Sequence, residues 1–407
     1  MVSLFATLAI VLAALAGILL RPFGVREAVP ALLGAAALVL CGLLPLPAAL
    51  RAAGQGWDVY LFLAGMMLLA ELAALEGVFD WAAGVMARAA RGSAMRLFAY
   101  VYALAVLITV TLSNDATAVV FTPAVAAMAR HAGAKQRLPY LLICAFVANA
   151  ASFVLPISNP ANLVVYGAAM PDLRHWLALF TLPSVVAIGA TFLLLLATQR
   201  RALRELLVVP EAVPLAVGGR LTLAGLGVMA AVLLYASARG WPLGPPAFAA
   251  GVGACAVVLL RARQSPLPVL RGVSWSVLWL VAGLFIMLGA LDRLGLAAAV
   301  ARVTAGLGPF GLGAALAVLT NLVNNLPAGL LAGHVLGGAA PDVKAAALIA
   351  VDIGPNLSIT GSLATILWLS ALRREGESIT GWRFLRLGLV MMPPVLIFAL
   401  YALRFAV

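Results

Sequence analysis

The sequence predicts an all-α membrane protein made of two inverted-topology repeats, each with five transmembrane spans and one re-entrant hairpin. Three observations carry this reading. Of the 407 residues, 65% are hydrophobic and only 10% charged, whereas a soluble domain is about half apolar and a quarter charged. With a mean hydropathy of +1.12, neither a water-soluble fold nor a disordered chain can be built. Apolar blocks of spanning length, about 20 residues each, recur from end to end. The order of blocks and polar interruptions occurs twice.

The elements follow in order. Segments 2–20, 29–46 and 59–75 read as the first three spans. The start lacks a basic n-region, so it is expected to be a span and not a cleaved signal. Segment 79–91 places Trp81, Val85 and Met86 on one face and Arg88 and Arg91 on the other, as a helix lying in the interface does. The apolar stretch 97–129 is interrupted by Ser113-Asn-Asp-Ala-Thr117 and reads as a re-entrant hairpin with this cluster at its tip. From 139 the chain enters a span broken by Ser152-Phe-Val-Leu-Pro-Ile-Ser-Asn-Pro-Ala-Asn162. Segment 176–198 closes a first repeat over 1–199. A polar linker, 200–220, carries Pro210 and Pro214. The second repeat, 221–407, has spans at 221–237, 247–260 and 275–291. A hairpin at 310–333 has Asn321-Leu-Val-Asn-Asn325 in its middle, a span from 345 is broken at 354–365, and 382–403 is the last span.

The two halves align. Trp57-Asp-Val-Tyr-Leu-Phe-Leu-Ala-Gly65 matches Trp275-Ser-Val-Leu-Trp-Leu-Val-Ala-Gly283, and Thr111-Leu-Ser-Asn-Asp115 matches Asn321-Leu-Val-Asn-Asn325. Breaks at matching places in two repeats are the sequence mark of a secondary transporter. Five spans per half make the second half inverted. The net charge of +12 comes from 26 basic against 14 acidic residues, and such an excess marks cytoplasmic loops before it marks nucleic-acid binding. The inverted topology puts 19 of the 26 basic residues on one face, the linker's, and 7 on the other. The linker is then cytoplasmic and both termini face outward, in a multi-pass protein of the inner (plasma) membrane.

Several segments resemble the arsenical pump membrane proteins, the arsenite permeases of the ion transporter superfamily. They are LSNDATAVVFTPAVAAM (112–128), NLVNNLPAGLLAG (321–333), DIGPNLSITGSLATILWL (352–369), ALEGVFDWAA (74–83) and the tail TGWRFLRLGLVMMPPVL (380–396). The resemblance runs from about Trp57 to the end, and 321–369 is its most specific part. It implies efflux of arsenite and antimonite coupled to the proton gradient; some members dock a soluble ATPase subunit. A homodimer is a further possible assembly.

Near neutral pH arsenite is mostly a neutral trihydroxide. Recognising it requires hydrogen-bond donors and acceptors but no net charge, and amides and hydroxyls supply both. The tips and breaks offer Ser113, Asn114, Thr117, Asn159, Asn162, Asn324, Asn325, Thr360, Ser362 and Thr365 as substrate-binding residues. Helix capping is the competing role for these residues, but irregular backbone at membrane depth survives only where it lines a cavity or is buried in protein. Asp115, a carboxylate at membrane depth, is a functional candidate by default and the first choice for proton coupling; capping of the second hairpin helix is the competing role. Asp352 is the next candidate. Glu71 and Glu76 are expected in structural ion pairs, and Asp292-Arg293 as a surface pair.

No catalytic, metal or cofactor site is expected. Cys41, Cys144 and Cys255 lie far apart in apolar runs without a CxxC, where cysteine is a small filler. His131, His175 and His334 have no metal-ligand spacing, and no phosphate loop of the GxxxxGKS/T type is present. Two other readings compete. A sodium-coupled carrier of a carboxylate or other oxyanion would want a cation at the site, yet none of the four polar breaks holds arginine or lysine. An intramembrane enzyme would need a catalytic constellation that the breaks lack.

Overall fold

The computed structural model describes residues 2–21, 25–211, 214–304 and 306–406. Among them the chain is helical, with no β-strand. The first half contains α1 (Val2–Leu20), α2 (Ala28–Leu40), α3 (Leu46–Gly54), α4 (Trp57–Leu75), α5 (Val78–Ala89), α6 (Ala94–Thr111), α7 (Thr122–His131), α8 (Leu138–Ala150), α9 (Pro160–Tyr166) and α10 (Leu173–Gln199). The second contains α11 (Val217–Ala238), α12 (Gly244–Ala262), α13 (Leu267–Gly272), α14 (Ser276–Arg293), α15 (Leu296–Thr304), α16 (Pro309–Val323), α17 (Asn325–Val335), α18 (Pro341–Ile353), α19 (Leu363–Arg374) and α20 (Gly381–Leu403). The same succession of long, short and interrupted helices thus occurs twice. Packing is reciprocal as well: α4 lies on α12 and α14 on α2, α9 on α17 and α7 on α19, while α8 meets α18 and α10 meets α20.

Local chemistry explains where the helices start. Proline stands in the first turn of α8, α12, α16 and α18, where its missing N–H would have had no helical partner. Side chains of Ser93, Asp172 and Thr380 accept from backbone N–H groups and cap α6, α10 and α20. Small residues then set the crossings. A Cβ on Gly65 of α4 would overlap the Ala247 carbonyl of α12, and one on Gly251 would overlap the Gly65 carbonyl. On the related crossing, a Cβ on Gly283 of α14 would come within 2.9 Å of the Ala31 backbone of α2. The last glycine of each copy of the aligned tryptophan motif is therefore a contact point between helix backbones, the usual role of small residues between membrane helices.

Eight of the described helices are long and apolar enough to cross a membrane: α1, α4, α6, α10, α11, α12, α14 and α20. The expected span at 29–46 is shorter as a helix. It stops at Leu40, because Gly42 adopts a left-handed φ of 70° and Pro45 follows, after which α3 starts a new direction. The other interruptions fall where the polar clusters are. The Tyr140 hydroxyl donates to Ala94 O, Val208 N–H to Ala132 O and Leu207 N–H to Gly92 O. The start of α6, the end of α7 and the start of α8 therefore share one face with the 205–211 segment, so α6 and α7 form a hairpin that returns to that face. At the opposite ends of the helices, the His334 ring near the end of α17 bonds Asp292 at the end of α14 at 2.8 Å. Asp292 thus pairs across helices and not with its neighbour Arg293. Glu71 and Glu76 make no ion pair among the described residues; their carboxylates lie against Gly272 and Gly218 instead.

Candidate functional site: two hairpin tips and two helix breaks

The first tip joins α6 to α7. Ser113 Oγ accepts from Ala116 N–H at 3.2 Å, and Asn114 Oδ1 from Asp115 N–H at 2.9 Å. The helix re-forms as a π-helix over Ala116–Phe121, a rare geometry found mostly at functional sites. Thr117, on this segment, shares a 2.8 Å hydrogen bond with Thr109 of α6. Asp115 is half-buried, and its carboxylate makes no hydrogen bond or ion pair among the described residues.

The second tip joins α16 to α17. Asn324 has φ 76° and ψ 156°, a region that is essentially glycine's and costs roughly 1–3 kcal/mol elsewhere. Three contacts hold it there. Its N–H donates to Thr320 O at 2.8 Å, its Oδ1 accepts from Leu326 N–H at 3.5 Å, and its Nδ2 donates to Thr360 O at 3.3 Å. Asn325 beside it is buried, and its Oδ1 has no donor among the described residues. Asn321 ties this hairpin to the second break, donating to Gly354 O at 2.9 Å and accepting from the Ser358 hydroxyl at 2.7 Å.

The first break separates α8 from α9. Asn162 Nδ2 donates to the carbonyls of Ser152, Leu155 and Pro156 at 2.9 to 3.3 Å, which satisfies backbone that the missing helix leaves open. Ser158 donates to Val110 O of α6 at 3.0 Å. Asn159 Oδ1 accepts from Ala161 N–H at 3.0 Å and so caps α9. The second break separates α18 from α19. There Ser362 accepts from Thr365 N–H at 3.0 Å and caps α19, and its hydroxyl meets Thr365 Oγ1 at 2.8 Å. Asn159 and Ser362 therefore hold the same place, each the cap after its break.

The breaks are also bonded across the halves. Asn159 Nδ2 donates to Asp352 Oδ1 at 2.8 Å. In return, Asn149 Nδ2 of α8 donates to Asn356 Oδ1 at 2.9 Å and Thr365 Oγ1 at 3.3 Å. Asn149 and Asp352 both stand second from last in their helices. Each pre-break helix thus reaches into the other half's break. Asn356 completes the joint by donating to Phe146 O at 3.1 Å.

Of the residues expected from sequence, Asn159 and Asp352 touch, Ser362 and Thr365 touch, and Asn324 meets the Thr360 backbone. Asn162 bonds its own break. Ser113 and Asn114 bond their own tip, and no hydrogen bond joins Asn114 to Asn325 among the described residues. Sequence reasoning did not single out Asn149, Asn321, Asn356 or Ser358. An asparagine near the end of an otherwise apolar helix, as in FVANA (146–150), was the available signal for Asn149. Four buried acceptor oxygens in this region have no donor among the described residues: Asn149 Oδ1, Asn162 Oδ1, Asn325 Oδ1 and Asp352 Oδ2. Unpaired buried acceptors are rare enough that each calls for an explanation.

Repeated spanning helices with polar breaks inside them describe a multi-pass membrane transporter, not an enzyme. Residues 8–372 match the family described as citrate transporter, CitMHS, and the chain belongs to that family. It is 28% identical over 368 residues to the arsenical pump membrane protein of Escherichia coli, covering 85% of this chain and 86% of that one. Against the arsenical pump membrane protein of Yersinia enterocolitica it is 27% identical over 371 residues, with the same coverage. The resemblance to arsenite permeases therefore extends over most of the chain. Among solved structures, the YdaH transporter of Alcanivorax borkumensis superposes with a TM-score of 0.54 at 17% identity, covering 88% of this chain and 86% of that one. At that identity the likeness concerns the fold alone.

Proposed function

We propose that the chain is a proton-coupled carrier that extrudes arsenite and antimonite from the cytoplasm, working as two inverted repeats around the joined breaks. The observation that carries this reading is the set of four donor-less buried acceptors. A neutral trihydroxide brings three O–H donors and no charge. It suits amide and carboxylate oxygens that lack donors, in segments without arginine or lysine. The curated relatives named arsenical pump membrane proteins point the same way. In this scheme Ser113, Asn114, Thr117, Asn159, Asn162, Asn324, Asn325, Thr360, Ser362 and Thr365 form or frame the substrate site. Asp115 carries the proton, and Asp352 holds the second pre-break helix to the first break.

The orientation follows from the basic residues. The linker face is cytoplasmic, both termini lie outside, and the halves are related as 1–199 and 221–407. A first hairpin entering from the linker face and a second from the opposite face supports this.

A second reading has its own observation. Oxygen-only acceptors also suit a hard monovalent cation, and the family carries the description citrate transporter; both fit a sodium-coupled carboxylate carrier. One experiment separates the two. Everted membrane vesicles should accumulate arsenite under an imposed pH gradient, with no stimulation by sodium and no competition by citrate. Sodium-driven citrate uptake without arsenite uptake would establish the second reading in its place.

A further inference from the structure

A cleft of about 580 Å³ opens on the face opposite the linker, between the starts of α4, α12 and α18 and the ends of α9 and α17. We propose that this cleft is a binding site for an organic monocarboxylate, with the carboxylate held by Lys344 and the apolar body against Trp57, Trp241 and Phe285. The proposal concerns a site separate from the breaks. The seven residues of α9, about 10 Å of helix, lie between Asn159 at the break and Tyr166 in the cleft wall. It does not depend on arsenite being the transported substrate.

Lys344 is the anomaly that leads here. It is 6% exposed, and its ammonium pairs with no carboxylate among the described residues. Its recorded contact is with the Tyr166 ring, 4.9 Å from the centroid. A cation–π contact leaves the charge of the ammonium uncompensated, and Lys344 faces the open cleft. The Tyr166 hydroxyl is itself buried without a hydrogen-bond partner among the described residues. Lys344 also lies near the start of α18, where the helix dipole disfavours a cation, although Asp342 stands in the first turn of the same helix. Asp342 makes no ion pair with Lys344 among the described residues, so an anion in the cleft would supply the partner that the ammonium lacks.

The acidic and imidazole groups of the cleft wall, Asp58 and His334, each have a hydrogen-bond partner. Asp58 accepts from Gly244 N–H at 2.7 Å at the start of α12, and His334 is bonded to Asp292 at 2.8 Å. One unengaged cation matches one carboxylate. Walls of tryptophan, phenylalanine and leucine match an apolar remainder, the usual balance of a small-molecule pocket.

The test titrates the purified full-length protein with benzoate at constant ionic strength. Calorimetry measures binding, and the fluorescence of the cleft tryptophans Trp57 and Trp241 reports its place. The expected result is saturable binding that Lys344→Met weakens at least tenfold, that Lys344→Arg largely keeps, and that Tyr166→Phe weakens a few-fold. Benzamide, with the same ring and no charge, should not bind the wild type measurably. Arsenite transport by the Lys344→Met protein should remain at the wild-type rate. No saturable benzoate binding to the folded wild type, or equal binding of benzamide, would overturn the proposal. Equal binding of inorganic phosphate would overturn the assignment to a carboxylate with an apolar body. The wild-type comparison of benzoate with benzamide stands even if Lys344→Met does not fold.

Discussion

The two halves contain the same helices in the same order but place their acid at opposite ends of the machinery. At the hairpin tip the first half has Asp115 where the second has Asn325. Before the break the first half has Asn149 where the second has Asp352. Each half thus has one carboxylate and one amide at these positions, with the order exchanged. Their surroundings differ accordingly. Asp352 is fully buried and accepts from Asn159, so its carboxyl oxygen is part of the joint between the breaks. The Asp115 carboxylate has no hydrogen-bond or ion-pair partner among the described residues. A carboxylate that bonds nothing can gain or lose a proton without loosening the fold, and one that holds two segments together cannot. The scaffold is shared between the halves, while only one of them has its acid outside the joint.

The largest expected effect concerns the crossings that hold this scaffold. Gly65→Leu should leave no folded protein, because the Ala247 backbone fills the place of any side chain. Gly65→Ala should cost more than Gly283→Ala, each within the roughly 1–3 kcal/mol typical of overpacking. Thermal unfolding in detergent would compare them, and a larger loss at Gly283 would break the ranking.

The two acids are next. Asp352→Ala strands the Asn159 amide and should lower stability by about 1–3 kcal/mol, the penalty for a buried unsatisfied group. Asp352→Asn keeps an acceptor and should cost less. Asp115→Ala should leave stability nearly unchanged, since no hydrogen bond is lost. Equal losses at both sites would erase the distinction between a joint and a carrier.

A smaller change is expected at the reciprocal bond. Thr365→Val removes one acceptor of Asn149 and the Ser362 contact, leaves the Asn149–Asn356 bond, and should cost about 1 kcal/mol. The smallest effect is at the cysteines. Cys144 and Cys255 are buried and Cys41 is exposed, all free; Cys144 lies in α8 and Cys255 in α12, where its thiol donates to Leu68 O. Replacing all three by alanine or serine should preserve arsenite resistance in growing cells. Loss of resistance at normal expression would shift recognition from amides to thiols.

Much of this architecture was legible as interruption. Polar clusters inside apolar runs located both hairpin tips and both breaks, because irregular backbone at membrane depth needs local polar partners. The tryptophan motif marked the crossing glycines, although only the packing explains why each copy ends in glycine. The end of α2 was not legible from hydrophobicity, since Gly42 and Pro45 turn the chain inside an apolar stretch. The bonds from Asn149 to Asn356 and from Asn159 to Asp352 were not legible either. They join residues about 200 positions apart, and only the meeting of α8 and α9 with α18 and the second break decides them. Neighbouring residues misled in the opposite way: Asp292 and Arg293 point in different directions from their helix, which leaves Asp292 to His334.

Asp115 is proposed to carry the proton. Everted vesicles containing Asp115→Asn, which keeps the side chain's shape but cannot titrate, test it most directly. The variant should exchange labelled arsenite across the membrane at a measurable rate while failing to accumulate it under an imposed pH gradient. Asp115→Asn vesicles that still concentrate arsenite against its gradient would contradict the claim and move the carrier's role to another group, with Asp352 the first to examine.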